Sequence, residues 1–374
     1  MLSPLPVRRW FAVTCLAVVL VIGLGAYDLA NGDVRAGGGT SDRAEVAASG
    51  HDRLVASAPG WKTPQIHDGR VYAIVDLGDL VVVGGSFTGV SSRGSDTVLS
   101  RRYLFAFSES TGVVDPGFVP RLDGEVRALL AGPADGTAYV AGRFKTVNGA
   151  AQRGIALLRT GTGGRVGDFR PPAFNGYLSD LVMHPNGQLL VGGTFTRIGT
   201  ASRGGLASLN PTTGTLRSYL TVTLAGHHNW DGDGAKSSVG VARFALSPDG
   251  GRLVVIGNFT SADGQPRDQI AVVSTTGDNA SLSSWRTESF TSTCNPNSFD
   301  SWVRDVAYAP DGSYFVVAAT GGVYPGTLCD TASRWSGTAT GAGRTPTWVA
   351  ASGGDTLLST AVTETAVYVG GHFR

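Results

Sequence analysis

The sequence predicts an all-β chain, folded as a β-propeller of four-stranded blades. A recurring phrase, regularly placed tight turns and abundant glycine lead to this fold class. The phrase is an apolar run that ends in glycine, one variable residue and a phenylalanine, and its copies end at Phe87, Phe144, Phe195, Phe259 and Phe373. These phenylalanines are 57, 51, 64 and 114 residues apart, and the last step is twice the first. A period of this size indicates one supersecondary unit stacked on copies of itself.

The composition agrees with a folded chain of many small sheets. Glycine accounts for 54 of the 374 residues, and charged residues make up 16%, against about 25% in an average domain. Hydrophobic residues make up 42% and lie in periodic runs, which is not typical of a disordered chain. The net charge of +1 gives little support to a nucleic-acid-binding role.

Each unit is predicted to contain four short strands. The first strand is Val126–Leu130 in the second unit and Val241–Leu246 in the fourth. The second strand is the recurring run, whose continuous apolar residues are typical of a strand buried on both faces. The third strand carries an aliphatic residue followed by alanine, as at Ile155-Ala156, and the fourth follows a Thr-Gly turn. Glycines beside the second strand let neighbouring sheets approach closely.

Tight turns separate the strands. Proline fixes φ at the first corner, and Asn or Asp followed by Gly accepts the left-handed corner, so Pro-Asp/Asn-Gly indicates a hairpin. Such turns stand at Pro185-Asn186-Gly187, Pro248-Asp249-Gly250 and Pro310-Asp311-Gly312.

The units begin near Val71, Val126, Tyr177, Val241, Val303 and Leu357. The fifth unit lacks its phenylalanine, and the sixth stops after Phe373, before its third strand. We therefore expect residues 59–374 to form a C-terminally incomplete propeller with five full repeats and a partial sixth.

The recurring unit resembles the delta-60 repeat of β-propellers in bacterial secreted or surface proteins. The resemblance is carried by Val-Gly-Gly-x-Phe, Arg-x-x-Ile-Ala and Thr-Gly, and is clearest over residues 126–158, 178–209 and 241–273. This family is a domain of unknown function, so the resemblance implies a fold and an exported location but no ligand.

The N-terminus indicates export. Arg8 and Arg9 precede an uncharged apolar run of 18 residues, 10–27, so residues 1–30 are predicted to be an apolar helix. This helix is either a signal peptide or an uncleaved membrane anchor. In both cases the segment contacts the membrane, and the propeller is extracytoplasmic, either secreted or tethered through residues 10–27. Residues 31–58 are polar and aperiodic, as expected of a flexible spacer.

The cysteines support the same location. Cys15 lies within the apolar run, so Cys294 and Cys329 remain in the exported part. An even number of cysteines in an oxidising compartment predicts one disulfide, with two free buried thiols as the alternative. A bond closing a loop of this length stabilises the fold by about 3–4 kcal/mol.

One cluster suggests a metal site. His227, His228, Asp231 and Asp233 fall in an insertion between the third and fourth units. Carboxylates and carbonyls on a flexible backbone suit Ca²⁺, and neighbouring imidazoles suit zinc or copper. The favoured alternative is a polar surface loop without a metal, and no other cofactor is expected.

Two further sets of residues have structural and functional interpretations. Arginines precede the third strand and could bind an anion, but their recurrence favours a structural role; they are Arg102, Arg153, Arg203 and Arg267. Tryptophans around the fifth unit could form a platform for sugars, although packing between blades is favoured; they are Trp285, Trp302, Trp335 and Trp348.

These observations predict a non-enzymatic exported propeller that binds a protein or glycan as a binding or scaffold module at the cell surface. The alternative is an extracytoplasmic metal- or quinone-dependent enzyme with its site at the propeller channel. Such an enzyme requires acidic or histidine ligands from several blades at one mouth, and the sequence shows none at matched positions.

Overall fold

A computed structural model describes residues 63–228, 238–294 and 303–373, together with Leu54. All of these residues belong to one compact unit, Arg43–Arg374. The described residues are all-β, and no helix among them has the length and hydropathy that crossing a bilayer requires. The predicted apolar helix in residues 1–30 lies outside them.

The strands fall into six units along the chain. Unit 1 contains β1 (Gln65–Ile66), β2 (Val71–Asp76), β3 (Leu80–Gly85), β4 (Gly89–Ser91), β5 (Leu99–Ser100) and β6 (Leu104–Ser108). Unit 2 contains β7 (Val126–Ala131), β8 (Thr137–Gly142), β9 (Thr146–Val147), β10 (Ala150–Ala151) and β11 (Ile155–Arg159). Unit 3 contains β12 (Leu178–His184), β13 (Gln188–Gly193), β14 (Arg197–Ile198), β15 (Ala201–Ser202), β16 (Leu206–Leu209) and β17 (Leu216–Arg217).

The remaining strands follow the same order. Unit 4 contains β18 (Leu224–Ala225), β19 (Gly240–Leu246), β20 (Arg252–Asn258), β21 (Ser261–Ala262), β22 (Gln265–Pro266), β23 (Ile270–Ser274) and β24 (Ser281–Leu282). Unit 5 contains β25 (Val303–Tyr308), β26 (Tyr314–Ala319), β27 (Thr331–Ser336) and β28 (Trp348–Ala351). Unit 6 contains β29 (Thr356–Val362) and β30 (Val367–His372).

Each unit is built on one antiparallel sheet. Units 3, 4 and 5 have four-stranded sheets in the orders β12-β13-β16-β17, β19-β20-β23-β24 and β25-β26-β27-β28. Units 1 and 2 have the three-stranded sheets β2-β3-β6 and β7-β8-β11, where single bridges, Phe107–Val114 and Leu158–Arg165, replace a fourth strand. Unit 6 pairs β29 with β30. The predicted four-stranded plan is therefore realised in three units.

The first strand of each main sheet packs beside the first strand of the main sheet in the next unit. The contacts run from β2 to β7, β12, β19, β25 and β29. We call these six strands the inner strands, because this succession arranges the sheets around an axis as in a β-propeller.

Every inner strand has a β-bulge near its start, after the first paired residue in β2, β7, β12 and β25 and after the second in β19 and β29. The residues at the bulge are Tyr72, Arg127, Ser179, Ala242, Arg304 and Leu358. The residues that resume pairing are Ala73, Ala128, Asp180, Arg243, Asp305 and Ser359. Bulges redirect side chains. The six bulge residues and the six residues that follow them are therefore the positions at which the units can differ near the axis.

The core consists of layers between adjacent sheets. One layer, for example, joins Tyr139 of unit 2 to Leu181 and Val191 of unit 3. The repeat phenylalanines Phe87, Phe144, Phe195 and Phe259 are at most 1% exposed. Phe373 differs from them and is 55% exposed, because the sheet of unit 6 has two strands in the described residues and no third strand packs on it there.

The glycine pair of the recurring phrase has two separate roles. A Cβ on the second glycine would lie 2.1 Å from the backbone oxygen that precedes the inner strand, as between Gly193 and Tyr177. A Cβ on the first glycine would meet the next unit, as between Gly192 and Phe244 at 2.7 Å. The predicted close approach of neighbouring sheets is therefore present here.

Candidate functional site

Arg243 of unit 4 occupies the centre of the inner-strand ring. Its Nη1 donates to the carbonyl oxygens of Ser179 at 2.6 Å and Arg127 at 3.4 Å. Its Nη2 donates to the carbonyl oxygen of Tyr72 at 3.2 Å, and its Nε lies 4.0 Å from Oδ1 of Asp305. One guanidinium group therefore contacts the inner strands of units 1, 2, 3 and 5.

Two carboxylates at the equivalent position link neighbouring inner strands. Oδ2 of Asp180 accepts a hydrogen bond from the Phe244 amide at 2.8 Å, and Oδ2 of Asp305 accepts one from the Thr360 amide at 2.8 Å. Burial raises the pKa of Asp180 to about 6, although Arg243 and two backbone amides oppose the rise. Burial also raises the pKa of Asp305. The charged side chains near the axis therefore bond mainly to one another and to the backbone of the inner strands.

A second group of charged and aromatic side chains lies where the inner strands of units 1 to 3 begin. We call Tyr72, Glu125, Arg127, Arg143 and Tyr177 the mouth cluster. Oε1 of Glu125 accepts hydrogen bonds from Nη2 of Arg127 at 2.7 Å and Nε of Arg127 at 2.9 Å, and Nε of Arg143 lies 3.0 Å from the same oxygen. The Arg127 guanidinium lies 4.3 Å from the ring centre of Tyr72, and that of Arg143 lies 4.1 Å from the ring centre of Tyr177.

The mouth cluster retains capacity to bind a ligand. The side chain of Arg143 is 49% exposed and that of Arg127 is 27% exposed. Among the described residues, their remaining N–H groups and the hydroxyls of Tyr72 and Tyr177 have no hydrogen-bond partner. Two arginines and one glutamate leave a net positive charge, and ring stacking fixes both guanidinium planes. Such an arrangement suits an anionic ligand.

The predicted metal cluster is only partly described. Asp231 and Asp233 lie outside the described residues. The ring of His228 is buried, with Nδ1 2.6 Å from Oδ1 of Asp268 and Nε2 3.2 Å from the carbonyl oxygen of Ser292. Nε2 of His227 lies 3.2 Å from Nδ2 of Asn258. Both ring nitrogens of His228 thus have protein partners, and no group of three metal-ligating side chains occurs among the described residues.

The repeated arginine position differs from the sequence alignment in two units. The equivalent residues are those whose backbone amide donates to the carbonyl oxygen of the residue just before the small hairpin: Arg101 to Thr88, Gln152 to Lys145, Arg203 to Thr196 and Arg267 to Thr260, each at 3.0 Å. Arg102 and Arg153 therefore lie one residue beyond this position. Each equivalent residue lies three positions before the first residue of its third strand, which is Leu104, Ile155, Leu206 or Ile270, whereas Arg102 and Arg153 lie only two positions before it.

The arginines at this position bind protein backbone. Nη1 of Arg101, Arg203 and Arg267 donates to the carbonyl oxygen of the preceding residue at 3.1, 2.7 and 2.7 Å. Nη2 of Arg267 also reaches the carbonyl oxygen of Ser283 at 2.8 Å. All of these bonds lie within the arginine's own unit, and the structural role expected from the recurrence stays a prediction.

Two of the four tryptophans around unit 5 are buried in packing contacts. Trp285 and Trp335 are each 1% exposed and pack edge to face, with ring centres 5.6 Å apart. Trp348 is 44% exposed, and Trp302 lies outside the described residues. A disulfide joins Cys294 to Cys329, the pair that the sequence predicts.

Two features escaped the sequence analysis. Charged residues stand at matched positions of three inner strands, directly after the bulge; they are Asp180, Arg243 and Asp305. Their similar distance from the start of each strand is the sequence signal that could have identified them. An Asp-Gly or Asn-Gly pair also precedes the first three inner strands, where Asp68, Asp123 and Asn175 accept backbone N–H groups at 2.7, 2.7 and 2.9 Å.

One of three comparisons with known proteins supports the fold. A sequence profile described as a β-propeller domain of unknown function (DUF5122) matches residues 184–216. These residues lie within unit 3 and end at the first residue of its fourth strand, β17. The chain is also similar to a solved structure of hydrazine synthase from Kuenenia stuttgartiensis, with 12% identity and a TM-score of 0.41. That match covers 72% of this chain and 65% of the hydrazine synthase chain. A search of the curated proteins found no match.

Proposed function

We propose that this chain is an exported, non-enzymatic β-propeller that binds a ligand at the cell surface through the mouth cluster. The observation that carries the proposal is the pair Arg127 and Arg143, whose N–H groups are partly unused although their planes are fixed by Glu125 and two tyrosine rings. A prearranged donor set of this kind loses little side-chain entropy when an anionic group binds.

Two further observations support a binding role. Arg243 uses its guanidinium to hold four other inner strands together, so the axis favours a rigid scaffold. The bond between Cys294 and Cys329 is compatible with an oxidising compartment outside the cytoplasm.

The proposal is tested by sedimenting the full chain, purified in mild detergent, with isolated bacterial cell envelopes. Arg143→Gln and Tyr177→Leu are expected to reduce the bound fraction about tenfold or more, because each removes part of the donor set. Arg217→Gln is the matched control, since Arg217 is exposed on the outer strand β17 and the substitution changes the charge equally. Absence of binding by the wild type, or equal binding by all variants, contradicts the proposal.

A further inference from the structure

Unit 2 differs from its neighbours at the repeated arginine position, because Gln152 stands where units 1, 3 and 4 have Arg101, Arg203 and Arg267. In unit 4 the longer side chain extends to the carbonyl oxygen of Ser283 in the segment after β24. Nε2 of the Gln152 side chain donates instead to the carbonyl oxygen of Ile155, at 2.7 Å, at the start of β11. The shorter side chain leaves space beside β11.

A groove of about 720 Å³ lies at this place. Its lining includes Asn148, Gln152, Arg165, Val166, Phe169 and Arg170. Its volume falls within the range of about 300–1,000 Å³ that is typical of small-ligand sites. None of its lining residues belongs to the mouth cluster, so the groove is a separate site.

The groove is positively charged. The lining residues contain the exposed side chains of Arg165 and Arg170 and no acidic side chain, although Asp168 is close in sequence. Nη1 of Arg165 lies 3.4 Å from Oε1 of Gln152, and Nε of Arg170 donates to the carbonyl oxygen of Gly167 at 2.7 Å. The other N–H groups of both arginines have no partner among the described residues. Residues 121–170 carry eight basic and four acidic side chains, whereas the whole chain has a net charge of +1.

The shape and polarity of the groove favour a sugar acid over a nucleotide. Phe169 is the aromatic residue of the lining, but it is 3% exposed and packs against Tyr139 with ring centres 5.4 Å apart. It therefore offers no open ring face on which a base could stack. The Asn148 amide accepts from the Arg121 backbone and donates to the Gly163 carbonyl oxygen, and the Gln152 amide donates to that of Ile155. Each amide retains a second N–H and a second lone pair for a sugar hydroxyl, and the guanidinium groups can bind carboxylates.

We propose that this groove binds a carboxylate-bearing stretch of an acidic polysaccharide. The biological source of that ligand depends on the extracytoplasmic location in the proposed function. Binding itself does not, because it can be measured on the purified protein. The groove and the mouth cluster share no residue, so each proposal can fail without the other.

The test is calorimetric titration of the full chain, in mild detergent, with pentagalacturonate and with neutral maltopentaose. The acidic pentasaccharide is expected to bind about tenfold or more tightly than the neutral one, and more weakly as salt increases. Arg170→Gln is expected to weaken binding about tenfold or more, because it removes one of the two exposed guanidinium groups that line the groove. Arg165→Gln is expected to do the same by removing a charge-assisted hydrogen bond.

Arg217→Gln, with the same change of charge at a site outside the groove, is expected to leave the affinity within about twofold. Near-ultraviolet circular dichroism checks that Arg170→Gln and Arg165→Gln remain folded, and the two exposed residues give independent measurements. The proposal is overturned if the wild type does not bind pentagalacturonate, if maltopentaose binds equally well, or if both groove variants bind like the wild type. Tighter binding of poly-glutamate or of a single-stranded oligonucleotide also overturns it.

Discussion

Asp180 shows how a single residue connects burial to pH dependence. Its carboxylate accepts hydrogen bonds from the amides of Leu181 and Phe244, yet burial raises its pKa from 3.8 to about 6. The folded state therefore binds a proton more tightly than the unfolded state does. The resulting stabilisation is complete below pH 3.8 and is lost as the pH rises through 6.

We expect Asp180→Asn to lower the free energy of unfolding more at pH 4 than at pH 7. The difference between the two effects is about 2–3 kcal/mol for a shift of about two pK units. Urea titrations of the wild type and the variant across this range measure it.

Asp311→Asn is the control with the opposite sign. Hydrogen bonds from the backbone and side chain of Ser313 lower the pKa of Asp311, so its contribution is present above pH 3.8 and is lost as the pH falls. Equal effects of Asp180→Asn at pH 4 and pH 7 would contradict the assignment.

At the residue scale, the sequence predicts the features that every repeat shares and misses those that depend on pairing between units. The alignment placed the recurring phenylalanines, and four of the five are buried. It did not bring Asp180, Arg243 and Asp305 together, because these residues are separated by more than 60 positions and meet only through the ring of inner strands. It also placed Arg153 one position from the repeated site, which Gln152 occupies.

At the element scale, the second glycine of each phrase lets an inner strand bulge against the strand beside it. A Cβ on Gly193 would lie 2.1 Å from the backbone oxygen of Tyr177. We expect Gly193→Ala to lower the free energy of unfolding by about 1–3 kcal/mol, because backbone atoms have to shift. Thermal unfolding monitored by circular dichroism measures the loss.

Gly161→Ala is the matched control. Gly161 has a negative φ, and a Cβ there would meet no atom within 4 Å. The control is expected to be neutral or slightly stabilising, because alanine reduces the entropy of the unfolded chain. A neutral Gly193→Ala would show that steric contact is not the reason for the recurring glycine.

The strand plan was predictable because turn chemistry and apolar runs are local properties of the sequence. The fourth strand was less predictable. In units 1 and 2 a single bridge replaces it, whereas units 3, 4 and 5 form a paired fourth strand. Pairing of an outer strand depends on how the chain crosses to the next unit, and the Thr-Gly turn alone does not determine that path.

At the scale of the whole molecule, Arg243 links the inner strands of five units. We expect Arg243→Leu to lower the free energy of unfolding by about 2–4 kcal/mol, because three carbonyl oxygens lose a charged donor. Amide hydrogen exchange is also expected to accelerate in β2, β7 and β12, although the substitution is in β19. Arg217→Leu, on an exposed outer strand, is expected to change stability by less than about 0.5 kcal/mol.

Unchanged exchange in β2, β7 and β12, together with unchanged stability, would show that the contacts of Arg243 do not hold the ring together. The whole-molecule architecture was predictable from the sequence because a period of this length has few structural solutions. The proposed groove was not predictable, because Gln152 departs from the repeat and comparison of the repeats averages such departures away.

The arginine position before the third strand has an implication for valency. Units 1, 3 and 4 differ from unit 2 there by one side chain, so Arg203→Gln would give unit 3 the residue that accompanies the groove in unit 2. If the groove of unit 2 binds a polysaccharide as proposed, one substitution can add a second candidate site without any new backbone. Avidity for a long polymer would then be adjusted one repeat at a time.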